Sequence, residues 1–293
     1  MHHIKDIPTG QQYLYENNPN IEEEIVNAGK RECYIFFSSN GLYRDTPQDF
    51  EKTLLENNRY EWQSIATSLK KRKSTGKIIY VRDVYKKHYR EGVNSTLSSI
   101  EKVVEYLQKC TENYDLTTIG ISSGGYIASI VGCQLRAKRV FCFSGQFDLN
   151  KSLNPEDAAA FRIKNPQYAQ IVDLIAAHNE VPIYYFCPIN CEQDYECYKL
   201  IQHINHVKCF LFPDTIHAAT VYPFNYPDLF CLSNEKLDKL EKHYYKKIIN
   251  KNLFLLHTIS FSGIWEFGKR LWKSKLNIER LKILWDVKGD HDN

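Results

Sequence analysis

The sequence predicts an α/β fold, a mostly parallel central sheet flanked by helices. Three observations carry that expectation. Short apolar runs of strand character alternate with longer segments of helical periodicity. Those runs are apolar at successive positions, as strands covered on both faces are. One of them leads directly into a glycine-rich turn and then an apolar helix.

The elements follow in order. Residues 33–38 form the first clear strand, ending at the polar turn Ser39-Asn40-Gly41. Residues 49–71 read mostly as helix, broken near Asn57-Asn58, and 77–82 form a compact strand. Ser95 is placed as the cap of a helix with Ile100, Val103, Val104 and Leu107 on one face. The third strand, 116–121, runs into Ser122-Ser123-Gly124-Gly125 and a helix from 126 to about 135. Strand 139–144 follows, then a more polar helical region expected to form a small cap or insertion near 150–180. Strand 182–187, a short helix after Asp194, strand 207–212 and a helix over 234–250 complete a catalytic domain placed at 1–250. The first strands of such a fold are not evident in residues 1–32.

Composition excludes several classes. The 293 residues are 43% hydrophobic and 25% charged, enough apolar material for one substantial core. A net charge of +3 gives no footprint for nucleic acid. The nine cysteines are odd in number and scattered, and several lie inside strands, which fits free thiols in a reducing compartment. Cys187, Cys191 and Cys197 contain no C-x-x-C pair, so no metal site is expected there. The N-terminus lacks the apolar stretch of a signal peptide, and no run is long enough to span a bilayer. A cytoplasmic location is expected.

The chemistry concentrates at Gly120-Ile121-Ser122-Ser123-Gly124, a G-x-S-x-G match set between a strand and a helix. On so tight a turn, residues two before and two after the serine crowd each other, and glycine at both removes the clash. Ser122 then projects its hydroxyl above the sheet, and the Ser123 N–H at the helix start can donate to an oxyanion. Ser123 itself is a poorer nucleophile candidate, flanked by Ile121 and Gly125. A serine hydroxyl needs a base. Of ten histidines, His217 follows the last strand and the turn Pro213-Asp214. His88 precedes the nucleophile, His203 and His206 precede that strand, and His243 and His257 lie in or beyond the last helix. Asp194, after strand 182–187, is the candidate to orient the base, with Glu192 as runner-up and Asp214 as a shaper of the turn. Backbone N–H groups of Ser39 or Asn40 are candidates for the second oxyanion donor.

With these residues in place, the sequence resembles the α/β-hydrolase superfamily over roughly residues 33–250, through Gly120, Ser122 and Gly124 and the order Ser122, Asp194, His217. It departs in lacking a His-Gly-Gly-type oxyanion loop, which Ser38-Ser39-Asn40-Gly41 replaces. Arg82-Asp83, the elbow and the run from Phe141 to Gln146 look similar to a bacterial group associated with capsule and surface-glycan biosynthesis that includes polysaccharide O-acetyltransferases. The resemblance implies a serine esterase or O-acyltransferase without a bound cofactor, taking an ester or thioester such as acetyl-CoA as donor and a small molecule or glycan as acceptor. A plain carboxylesterase or thioesterase, and a non-catalytic scaffold in a glycan-assembly complex, are the alternatives. Residues 251–293 form a helical extension in which Trp265, Trp272 and Trp285 alternate with basic residues. It is expected to pack on the sheet's flank or, as a basic amphipathic segment, to touch a partner or lie peripherally on the inner membrane.

Overall fold

The computed structural model describes residues 6–260. Seven strands form one sheet: β1 (Ile21–Ile25), β2 (Glu32–Phe37), β3 (Thr75–Val81), β4 (Asp115–Ile121), β5 (Arg139–Phe143), β6 (Ile183–Pro188) and β7 (Val207–Phe212). Their order is β1-β3-β2-β4-β5-β6-β7, with only β1 antiparallel to its neighbour. The six strands read from the sequence are all present, shifted by at most two residues at an end.

Side-chain alternation divides each strand between two cores. Cys33, Ile35, Phe37, Val140, Cys142, Ile183 and Tyr185 face the helices Ile100–Thr111 and Ser123–Gln134. Tyr34, Phe36, Phe141, Phe143, Tyr184 and Phe186 face the opposite side, which is dominated by aromatic rings. There Phe143 and Phe186 stack at 4.5 Å, Phe186 and Phe210 at 5.0 Å, and Phe254 closes edge-on over Phe210 and Phe212. Such offset and edge-on contacts add to simple apolar burial. Phe254 comes from the helix Lys251–Thr258, so the extension begins inside the fold; its residues 261–293 lie outside the described ones.

Three local expectations are corrected. β1 and the helix Ile7–Asn17 occupy residues in which no strand was evident. The cap of the helix Ile100–Thr111 is Ser99, whose Oγ accepts from Lys102 N, whereas Ser95 N binds Tyr15 O in a loop. The final long helix stops at Tyr244, after which Ile249 N donates to Leu211 O along the edge of β7. The region 150–180 is three short helices, Pro155–Lys164, Pro166–Ala169 and Val172–Ala177, interrupted at Asn165-Pro166 where proline ends the preceding turn. Phe161, Tyr168 and Ile175 root these helices in the core that also holds Ser123–Gln134.

From β2 the chain moves first to one side, to β3, and then to the other, to β4. In a parallel sheet such a reversal opens a crevice at the carboxyl ends of the two central strands. The loop after β2 and the turn after β4 meet there, with Phe37 paired to Gly120 in the last register position.

Candidate active site

Ser122 sits in the turn between β4 and the helix Ser123–Gln134, at φ 54° and ψ −122°. A non-glycine residue with positive φ is strained, so neighbours must hold it. Ser122 N donates to Phe143 O at 2.9 Å, and Tyr126 N donates to Ser122 O at 3.1 Å. The two glycines act as the sequence suggests. A Cβ on Gly120 would stand 2.0 Å from Gly124 O, and one on Gly124 would stand 2.5 Å from Phe37 O. Both obstacles are backbone atoms and cannot rotate away.

The Ser122 hydroxyl lies 2.9 Å from His217 Nε2. His217 Nδ1 lies 2.9 and 3.0 Å from the two oxygens of Asp194. Asp194 is 1% exposed, in the first turn of the helix Glu192–Ile201. A buried carboxylate needs a donor, and it can only accept. The network therefore assigns the imidazole proton to Nδ1 and leaves Nε2 free to accept from Ser122. These three residues come from the segments that follow β4, β6 and β7, all at the carboxyl edge of the sheet.

The competing residues lie elsewhere. Glu192 is exposed, and Asp214 pairs with Lys251 at 2.8 Å. His206 Nε2 contacts Ile175 O, His257 Nδ1 contacts Tyr244 OH, His203 is exposed, and His88 is buried. Ser123 Oγ turns away from the imidazole: it donates to Asn40 Oδ1 at 3.0 Å and accepts from Asn40 N at 2.9 Å.

The second oxyanion donor is where sequence reasoning fell short. Ser123 N, at the helix start, belongs to the amides that a helix leaves without internal partners. The loop after β2 is different. Ser39 N donates to Glu61 Oε2 at 2.5 Å, Ser39 Oγ to Glu61 Oε1 at 3.0 Å, and Gly41 N to Ser39 Oγ at 3.0 Å. With Asn40 N on Ser123 Oγ, neither nominated amide is free in this arrangement. Glu61 had no motif to announce it and falls inside the segment 49–71 read mostly as helix. Its surroundings strip it of water, which raises its pKa against the lowering effect of the Ser39 bonds.

Glu61 also lines a cavity of about 420 Å³ with Trp62, Ile121, Ala218, Val221 and Tyr226. Ile121 precedes Ser122 and Ala218 follows His217, so this mostly apolar space adjoins the serine and the imidazole. Arg82 and Asp83 serve structure. Arg82 is fully buried against the Tyr60 ring and donates to Asn20, Asn58 and Arg59 O. Asp83 accepts from three amides of the next turn, those of Tyr85, Lys87 and Tyr89.

No protein-family model matches the chain, and no curated protein sequence does. Among solved structures, a capsule O-acetyltransferase of Neisseria meningitidis serogroup A is 11% identical, with a TM-score of 0.46 over 67% of this chain and 83% of that one. A hyperthermophilic esterase from the archaeon Pyrobaculum calidifontis is 12% identical, with a TM-score of 0.43 over 81% and 92%. A thermophilic esterase from the planctomycete Thermogutta terrifontis is 13% identical, with a TM-score of 0.42 over 78% and 93%. The assignment of architecture rests on strand order and on the turn that carries Ser122: the chain has an α/β-hydrolase-like fold.

Proposed function

We propose that this chain performs serine-dependent acyl transfer or ester hydrolysis, with Ser122 as nucleophile, His217 as base and Asp194 as the group that orients it. The observation that carries the reading is the continuous path from Ser122 Oγ through His217 to a buried Asp194, each link 2.9 to 3.0 Å long. Ser122 Oγ attacks the acyl carbonyl while its proton passes to Nε2. Asp194 keeps the ring in the productive tautomer and stabilises the imidazolium. The Ser123 N–H faces the developing oxyanion. The imidazolium then protonates the leaving group, and the neutral ring activates water or an acceptor hydroxyl to release the acyl group from Ser122.

Within that class, we favour O-acetylation of a hydroxyl on a bacterial surface polysaccharide, with acetyl-CoA as donor. The support is the similarity of the Arg82-Asp83, elbow and Phe141–Gln146 stretches to the surface-glycan group. Fluorophosphonate labelling followed by intact mass tests the nucleophile: one adduct on the wild type and none on Ser122→Ala is expected, and an unlabelled wild type overturns the enzymatic reading. Incubation with acetyl-CoA and glycan acceptors tests the finer reading. Acetylated glycan supports transfer; acetate release alone supports a hydrolase.

A further inference from the structure

Three clustered cysteines carry no zinc spacing, and they differ in burial: Cys187 and Cys197 are buried, whereas Cys191 remains partly exposed. Cys191 is the cap residue of the helix Glu192–Ile201, three positions before Asp194. That spacing sets a thiol beside the carboxylate. One ligand atom each from Cys191, Asp194 and His217 lies within 4.8 Å of the others. We propose that these three residues form a site for a thiophilic divalent cation, of which Zn²⁺ is the model, and that its occupation switches off Ser122.

The donor set is one that zinc accepts: a thiolate sulfur, an imidazole nitrogen and a carboxylate oxygen, with a fourth tetrahedral position left to water. Ordinary zinc bond lengths put a nitrogen and an oxygen ligand about 3.3 Å apart around the ion. His217 Nδ1 and Asp194 Oδ1 are at 2.9 Å, so the pair opens by only a few tenths of an ångström. The sulfur lies within 4.8 Å of both atoms, so it closes by at most about 1 Å to reach its own bond length, a movement open to a partly exposed side chain.

The protons balance as follows. The Cys191 thiol loses its proton to solvent as the metal–sulfur bond forms. The metal takes Nδ1, so the imidazole proton moves to Nε2 and none is lost from the ring. Nε2 is then a donor and cannot accept the Ser122 proton, while Asp194 is held by the ion. The hydroxyl is left without a base. This consequence rests on the nucleophilic role proposed for Ser122; the site itself does not.

Cobalt titration of the full chain tests the site. A thiolate-to-cobalt charge-transfer band in the near ultraviolet is expected in the wild type and in Ser122→Ala, displaced by Zn²⁺ and lost in Cys191→Ser. A wild type without the band, or Cys191→Ser with an undiminished one, overturns the proposal. Phosphonate labelling with and without Zn²⁺ tests the switch as a ratio for each variant. At a Zn²⁺ concentration ten times the dissociation constant, wild-type labelling is expected to slow about tenfold by mass action, to recover with a chelator, and to be insensitive in Cys191→Ser. Labelling that ignores Zn²⁺ while the cobalt band is present overturns the switch. A wild type that never labels removes the proposed activity, and the cobalt band still decides the site.

Discussion

The loops after β2 and β4 leave the same end of the sheet as neighbours, yet they solve opposite problems. The turn after β4 is opened by subtraction: two glycines remove side chains so that Ser122 can stand at φ 54° with its hydroxyl turned to His217. The loop after β2 is held by addition. Trp62 Nε1 donates to Phe37 O at 2.9 Å, Tyr89 OH to Ser38 O at 2.7 Å, and Glu61 accepts from the Ser39 amide and hydroxyl. One loop presents the proposed nucleophile, and the other has its amides engaged by its own neighbours. A site of this kind is assembled as much by what holds a loop closed as by the group it exposes.

The largest perturbation of that contrast is Ser122→Ala, which should lower turnover of an activated ester by as much as about a millionfold. Asp194→Asn, which preserves shape but reverses the imidazole tautomer, should cost about ten-thousandfold. An asparagine variant near wild-type rate would show that Asp194 does not orient the base. Gly120→Ala should destabilise by at least about 3 kcal/mol, because a backbone oxygen 2.0 Å away cannot yield. Urea unfolding checks this, and an unchanged midpoint would mean that the turn has room to spare.

Glu61→Gln probes the filled loop. It keeps an acceptor near Ser39 but removes the charge that strengthens the bond, worth about tenfold in availability of the amide. Turnover of uncharged esters is expected to rise by up to about tenfold; an unchanged rate would leave Ser123 as the amide that matters. A separate effect concerns the support behind this loop. His88 precedes Tyr89, and burial, with help from Arg90, pushes its pKa down to about 4. As pH falls from 6.5, the unfolded chain takes up this proton before the folded one does. Stability is therefore complete above the ordinary histidine value and is lost toward pH 4, by about 2 kcal/mol at pH 5. Burial raises Asp83 to about 6, with the opposite sign: its contribution is present at low pH and lost as pH rises through 6. Comparing wild type with His88→Gln at pH 7 and 5 cancels Asp83; equal acid sensitivity in the two would refute the assignment.

Much of this was legible in the sequence for identifiable reasons. Strands buried on both faces announce themselves by continuous apolar runs, so β2 to β7 were readable. β1 was not: in Ile21-Glu22-Glu23-Glu24-Ile25 three glutamates mask the strand, and their partners Lys77 and Lys70 are distant in sequence. That Ser122, Asp194 and His217 meet was readable because chain order and loop position constrain them. Glu61 was not, because its importance comes from contact with Ser39, 22 positions away, which no local pattern encodes. The exchange of Ser95 for Ser99 as helix cap has the same origin: either serine could cap, and the Ser95–Tyr15 contact settled the choice.

The three residues of the proposed relay hang from β4, β6 and β7, with β5 between the first two. Their alignment therefore samples three consecutive ladders of the sheet at once. Slippage or fraying at the β7 border, where Ile248 pairs with Leu211 through a single isolated bridge, would carry the imidazole away from the serine long before the helices melt. Covalent labelling of Ser122 in mild denaturant is thus a gauge of that border, and its decline is expected to precede the loss of helical circular dichroism.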